Sequence, residues 1–520
     1  MLAGAGLLLL TGLSHANVIN ANSGSYVDVS LAVAQALPGD TVVIPPGRNI
    51  WSQTMTVSGI TLLGSGTNQT VIVDETPITG FGLPIFNMVT LPGKLTRIGK
   101  LTITVGATNT FPTVSVQGGN AAAGTRGNIN VYGTNIFRID HCVFHYLTGK
   151  PIHVMSMNFG LIDHCTMEML AGANAIEVDG GVASDSGLGD WSWSVPYAYG
   201  SSNALFIEDN YISSADQFTA IDVSNGGRAV IRKNYFFGSF VYTHGTESGQ
   251  RYRSVRVVEV YSNIFQFSTT VFNNGSSAIT IRGGTALLFN NWVTNFYNIT
   301  SLQDYRTTDQ SPAFTPWFGA TGLNGYDNNS PLLMTNVASV TTNYLVVNNA
   351  GWTNNQYYGC TVYNLRNNLC GIVITNNANS MWFLSAASPM YQLTFNAGDQ
   401  FQVHMVYPQL DQPGRGYGGL MTGDVPAHVW PNQASEPIYL WNNYLSRNYL
   451  PTAIGGLGNS TYPDIAEGRD FINSPKPGYT PYTYPHPLTF IVDAATNTIA
   501  PPVTNAPVLT PPTGLSVQPL

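Results

Sequence analysis

Charge is scarce in this chain: Lys, Arg, Asp and Glu together make up 9% of its 520 residues. Few helices tolerate such a mixture, whereas short strands joined by polar turns do, and Gly, Asn, Thr, Ser and Tyr are abundant. Basic residues are fewer than acidic ones, 20 against 28. The resulting net charge of −8 argues against a nucleic-acid partner. An acidic polymer would still bind through a local basic patch or a bridging cation. The hydrophobic share of 43% excludes disorder. Long apolar runs are missing beyond the first residues, so no later segment is suited to crossing a membrane. Cysteine is rare, with four residues. Cys360 and Cys370 could close a short loop, since export permits disulfides.

Residues 1–16, MLAGAGLLLLTGLSHA, read as a signal peptide. An apolar run too short to span a bilayer is followed by Ser14-His15-Ala16, a small-x-small cleavage pattern. The expected location is extracellular or at the cell surface.

A degenerate repeat then runs along the chain. Its copies are FRIDHCVF (137–144), GLIDHCTM (160–167), LFIEDNYI (205–212), VIRKNYFF (230–237), VEVYSNIF (258–265) and LLFNNWV (287–293). One slot holds Cys142, Cys165, Asn210, Asn234, Asn263 and Asn291, at steps of 23, 45, 24, 29 and 28 residues, and recurs at Asn443. A period in the twenties with strand-like segments predicts the coils of a β-solenoid. Equivalent residues then stack in columns about 4.8 Å apart. An inward Asn in every coil predicts a ladder of amide bonds. Cys142 and Cys165 share that column, which makes them core thiols. His141 and His164 belong to the same repeats and read as structural.

Residues 26–37, YVDVSLAVAQAL, carry a short amphipathic helix pattern. PGDTVVIPPG (38–47), MTVSGITLLGSG (55–66) and TVIVDE (70–75) follow it. A helix there would cover the open end of the first coil. This opening, continued by the repeat to about residue 300, resembles that of pectate-lyase-like proteins. The resemblance implies an all-β, right-handed, single-stranded parallel β-helix with an N-terminal capping helix. It does not imply one reaction, because the family includes lyases, hydrolases, epimerases and phage tailspikes. The β-helix domain is expected over 17–340, and a small inserted all-β module over 341–410. The last coil is expected within 411–473. Residues 474–520 read as a Pro/Thr-rich linker ending in what resembles the first strand of a fibronectin-type-III module.

A second aligned strand locates a site. Its copies are PIHVMS (151–156), AIEVDGG (175–181), AIDVSNGG (220–227), FVYTHGT (240–246) and AITIRGG (278–284). Ile152, Ile176, Ile221, Val241 and Ile279 should point inward. Alternation then turns His153, Glu177, Asp222, Tyr242 and Thr280 outward, followed by Met155, Asp179, Ser224, His244 and Arg282. The 45-residue step becomes one coil with a long loop, 180–203, carrying Trp191 and Trp193. A second loop, 245–255, follows His244 and carries Arg251 and Arg253. Both should overhang the polar columns and wall a cleft.

That chemistry suits a polysaccharide: aromatic faces pack on sugars, and Arg clamps a uronate carboxylate. In a hydrolase, two of Glu177, Asp179 and Asp222 would be acid and base, oriented by His244. The succession of carboxylates, His-Gly and Arg is similar to that of polygalacturonases, although that family's Asn-Thr-Asp, Asp-Asp and Arg-Ile-Lys motifs are absent. In a lyase, His244, Arg251 or Arg253 would take the proton beside the uronate carboxyl, with Arg282 or a cation stabilising the charge. His153, Trp191, Trp193, Tyr242, Arg251 and Arg282 would bind substrate. Glu177 and Asp222 could alternatively hold Ca²⁺. The expected protein is a monomeric, secreted, carbohydrate-active enzyme on an acidic polysaccharide. Its rivals are a non-catalytic carbohydrate-binding surface protein and a phage-type tailspike, against which the signal peptide argues.

Overall fold

The computed structural model describes residues 16–491, apart from 78–83, 107–113, 119–135, 148–150, 156–158, 170–173, 182–188, 195–196, 246–252, 268–276, 304–330, 342–343, 359, 386–391, 405–412, 415–435, 447–466 and 469. The segments expected to be a signal peptide and a fibronectin-like strand therefore lie essentially outside the described residues. The chain is all-β with long parallel sheets, an arrangement compatible with a parallel β-helix. One sheet has twelve strands whose spatial order is their chain order, from Val18–Asn20 through Ile136–Asp140 and Val257–Tyr261 to Phe471–Ile472. A second has seventeen strands, again in parallel register. The helix Tyr26–Gln35 starts at Ser25, whose side chain accepts from the Asp28 N–H. Its buried Val29 and Ala32 join the same core as Val42, Trp51 and Met55.

A two-residue turn carries the chain from the twelve-stranded sheet into the other. Its first residue is Lys100, His141, His164, Asp209, Lys233, Ser262, Asn290 or Asn442, each left-handed with φ between 50° and 59°. Eight non-glycine residues in that conformation each cost about 1–2 kcal/mol of strain. The second turn residue offsets it. Asn210 Nδ2 donates to Asn234 Oδ1 at 3.0 Å, Asn234 to Asn263 at 3.1 Å, Asn263 to Asn291 at 3.0 Å, and Asn291 to Asn443 at 2.9 Å. Each amide oxygen also accepts the preceding turn's backbone N–H, as Asn263 Oδ1 does from Asn234 N. Cys142 and Cys165 continue the column as buried thiols without a disulfide. An Asn263→Leu variant orphans the Asn234 N–H, and we expect it to lower stability by about 3 kcal/mol, read as a shifted denaturant midpoint.

After Asn298–Leu302 the chain leaves the parallel sheets and returns at Ile438–Trp441, which pairs directly with Thr285–Phe289. Between them lies an antiparallel sheet of seven strands, Leu333–Asn336 to Gln400–His404, around Leu345, Val362, Val373, Met381, Phe401 and Val403. Cys360 is buried there, and the Cys370 side chain lies outside the described residues.

The expected linker is corrected for residues 474–491, which lie across the outer face of the twelve-stranded sheet. That face carries paired charges. Arg97 Nε and Nη2 hold Asp140 at 2.6 and 2.7 Å, and Arg138 holds Asp163 at 2.8 and 2.7 Å. The final segment completes these sites with its backbone. Arg138 donates to Leu488 O at 2.9 Å, Arg232 donates to Tyr482 O at 2.7 Å, and His486 N donates to Glu208 at 2.8 Å. Tyr479 and Tyr484 donate to Glu259 and Asp209. Local Pro content suggested a linker because these partners stand 220 to 350 positions away.

This segment also carries a pH response. Burial, reinforced by Arg232 and Arg138 against Asp163, holds the His486 imidazole down to about 4. Neutral His486 Nδ1 accepts from Leu488 N at 3.2 Å, which a proton would prevent. Folded His486 therefore resists a proton that the unfolded chain takes near its ordinary 6.5. Stability is fully present above that value and falls as pH drops toward 4, by a loss on the order of 3 kcal/mol. His164, held above its ordinary value by Asp163 and Asp209 against burial, works in the opposite direction. Comparing the wild type with His486→Gln isolates the His486 part: the variant's melting temperature should fall less between pH 6.5 and 4.

Candidate active site

The second face forms where two-residue alternation meets strict register. Ile152, Ile176, Ile221, Val241 and Ile279 pair in succession and are buried with no exposure. One position on, His153 pairs with Glu177, Glu177 with Asp222, Asp222 with Tyr242, and Tyr242 with Thr280. The column extends beyond them to Thr56 and Asn87 on one side and Ser301 on the other. Asp179 and Ser224 pair two residues further on. The expected juxtapositions are therefore present in the backbone.

The centre of the column is a dyad. His244 Nδ1 lies 2.9 Å from Asp222 Oδ1; the imidazole is 37% exposed and the carboxylate 5%. Asn174 Nδ2 reaches the other Asp222 oxygen at 3.4 Å. A buried carboxylate beside Nδ1 favours the tautomer with its proton there, which puts the lone pair on Nε2. Asn174 escaped the sequence reading; its signal was its place at the start of the strand Asn174–Asp179, opposite Thr219.

The other carboxylates differ. Glu177 is half-buried, with Oε2 3.9 Å from His153 Nε2. Asp179 is buried and accepts from Gly181 N at 3.0 Å, closing its own turn. Gly180 is required there, because a Cβ would meet the Gly226–Gly227 backbone at 2.5 Å. Downstream, Arg282 Nη1 donates to the Tyr242 hydroxyl at 2.6 Å. The Tyr242 ring stands edge-on to His244 with centroids 5.8 Å apart.

Two expected site residues are corrected. Trp193 has no exposed surface: the short helix Asp190–Ser194 turns it inward, its indole N–H donates to Ser254 O at 3.1 Å, and Arg253 and Arg256 lie over its ring at 4.7 and 4.9 Å. Arg253 is equally buried, so neither touches a bound chain. Both hold the loop, because a large flat ring between two guanidiniums is worth more desolvated than in water. Trp191, on the same helix, stays half-exposed. Arg251 lies outside the described residues.

The Ca²⁺ expectation meets an unsuitable donor set. Calcium takes six to eight oxygens. Of the pair Glu177 and Asp222, the second already serves His244 and Asn174. Among the described residues no three His, Cys, Asp or Glu side chains converge as metal ligands. No protein-family profile matches the chain, and comparison with curated proteins finds no match.

Proposed function

We propose that this chain cleaves an acidic, uronate-containing polysaccharide by β-elimination, with His244 as the base. The supporting observation is the His244–Asp222 dyad, set in a column that also presents Glu177, His153 and Tyr242. Hydrolysis needs two carboxyl groups at the scissile bond. Asp222 and Asp179 are both committed to neighbours, which favours a mechanism with a single base. His244 Nε2 would take the C5 proton beside the substrate carboxyl. Arg282 supplies positive charge beside the Tyr242 hydroxyl, and His153 would hydrogen-bond the substrate from the same column. Trp191 would pack on the sugar.

The same proposal reads the two parallel sheets as faces of one right-handed β-helix of the pectate-lyase-like kind, with helix Tyr26–Gln35 as its cap. Strands passing from face to face in chain order support it. It also takes residues 1–16 as an export signal. No helix among the described residues is long and apolar enough to cross a membrane.

Incubation with a panel of polyuronates tests the reading. A rise in ultraviolet absorbance from unsaturated ends, abolished in His244→Ala, is the expected result. New reducing ends without absorbance would make the protein a hydrolase. Binding without either, unchanged in His244→Ala, would make it a carbohydrate-binding protein.

A further inference from the structure

His244 directly follows the strand Tyr235–Thr243, and its N–H continues the pairing by donating to Val223 O at 2.9 Å, so alternation aims Tyr242 and His244 from the same face. Asp222 grips His244 at Nδ1, and Arg282 donates to the Tyr242 oxygen. Each is held by a different strand, and the edge-on ring contact fixes one against the other. A sugar lying over this face meets both groups from one side.

Resting on the β-elimination reading, we propose that Tyr242 is the general acid of the reaction, and that the substrates are uronates whose C5 hydrogen and C4 oxygen lie on the same side of the ring. The electrons balance within the site. His244 Nε2 takes the C5 proton, the C5–H pair becomes the C4–C5 double bond, and the C4–O bond breaks. The departing oxygen takes the Tyr242 proton. The guanidinium of Arg282 stabilises the negative charge then left on the phenol oxygen, which makes it a positioning residue. Solvent afterwards restores the Tyr242 proton and removes that on His244.

Stereochemistry follows from this placement. A base and an acid on one face serve a syn elimination. D-Glucuronate and D-mannuronate carry the C5 hydrogen and the 4-linked oxygen cis. D-Galacturonate and L-guluronate carry them trans, and would need the acid on the opposite side of the ring.

The experiment compares four polymers, polyglucuronate, polymannuronate, polygalacturonate and polyguluronate, by absorbance of unsaturated ends. Elimination on the first two, at least about 100-fold faster than on the others, is expected. Equal or faster elimination on the galacturonate or guluronate polymer overturns the same-face inference while leaving the lyase reading intact. Silence on all four sinks the lyase reading and this inference with it. Tyr242→Phe should lower kcat about 100-fold or more with KM little changed. A uronide bearing 4-nitrophenolate at C4 leaves without a proton and should restore the rate of Tyr242→Phe and of Arg282→Gln. Failure of that substrate to rescue a folded Tyr242→Phe, or full activity of Tyr242→Phe on the polymer, overturns the acid role.

Discussion

Asp222→Asn is expected to slow polyuronate cleavage about 10³–10⁴-fold with little change in folding stability. The substitution keeps the shape of a buried side chain 2.9 Å from His244 Nδ1 and 3.4 Å from Asn174 Nδ2. It changes what that side chain offers. A carboxylate only accepts, so it holds the imidazole proton on Nδ1 and steadies the imidazolium formed when Nε2 takes the substrate proton. An amide turned to donate toward Nδ1 selects the opposite tautomer, and the basic lone pair then faces away from substrate. KM should move little, because Asp222 is almost wholly buried and gives substrate little surface. Single-turnover rates with thermal melts on the same preparations check this. A folded variant within tenfold of the wild type would remove Asp222 from the mechanism.

The largest stability loss is expected from Arg232→Met, at about 3–5 kcal/mol. Arg232 is buried and donates to Glu208 at 2.6 Å, to the Tyr261 hydroxyl at 2.9 Å, and to the carbonyls of Tyr482 and Thr483 at 2.7 and 2.8 Å. Burial pushes the Glu208 carboxyl up, and Arg232 is the main opposing pull. Methionine fills much of the volume but leaves that carboxylate without its counter-charge and two carbonyls without donors. The final segment should loosen as well, since Arg232 is one of its three buried backbone anchors, with Arg138 and Glu208. A lower denaturant midpoint and faster proteolysis near residues 478–490 are the measurable consequences. Adding Glu208→Gln should recover part of the loss, because the uncompensated charge dominates it. Unchanged proteolysis would mean that the segment is held in place without Arg232.

Both variants probe features that differ in how far the sequence announced them. Asp222 was placed beside Glu177 and Tyr242 by apolar anchors recurring at Ile152, Ile176, Ile221, Val241 and Ile279. In a period-two strand a buried anchor dictates which neighbours face out, so the register followed from spacing. The Asn column was readable for the same reason. The left-handed turn before it was not, because its residues share a backbone conformation and no common side chain. Arg232, Arg253 and Trp193 were misjudged or passed over as surface residues. Charged and aromatic side chains are buried only where a partner waits, and the partners come from elsewhere: Ser254 for Trp193, Tyr482 and Thr483 for Arg232.

The sequence by itself thus determined the all-β character, the columns and the residues that line the candidate site. Those follow from composition and short-range periodicity, which act within one strand and its neighbours. Only the tertiary structure decided which carboxylates were already committed, which loop tryptophan faced solvent, and that residues 474–491 pack against the sheet. Those outcomes depend on desolvation by distant segments, and no local pattern carries that information.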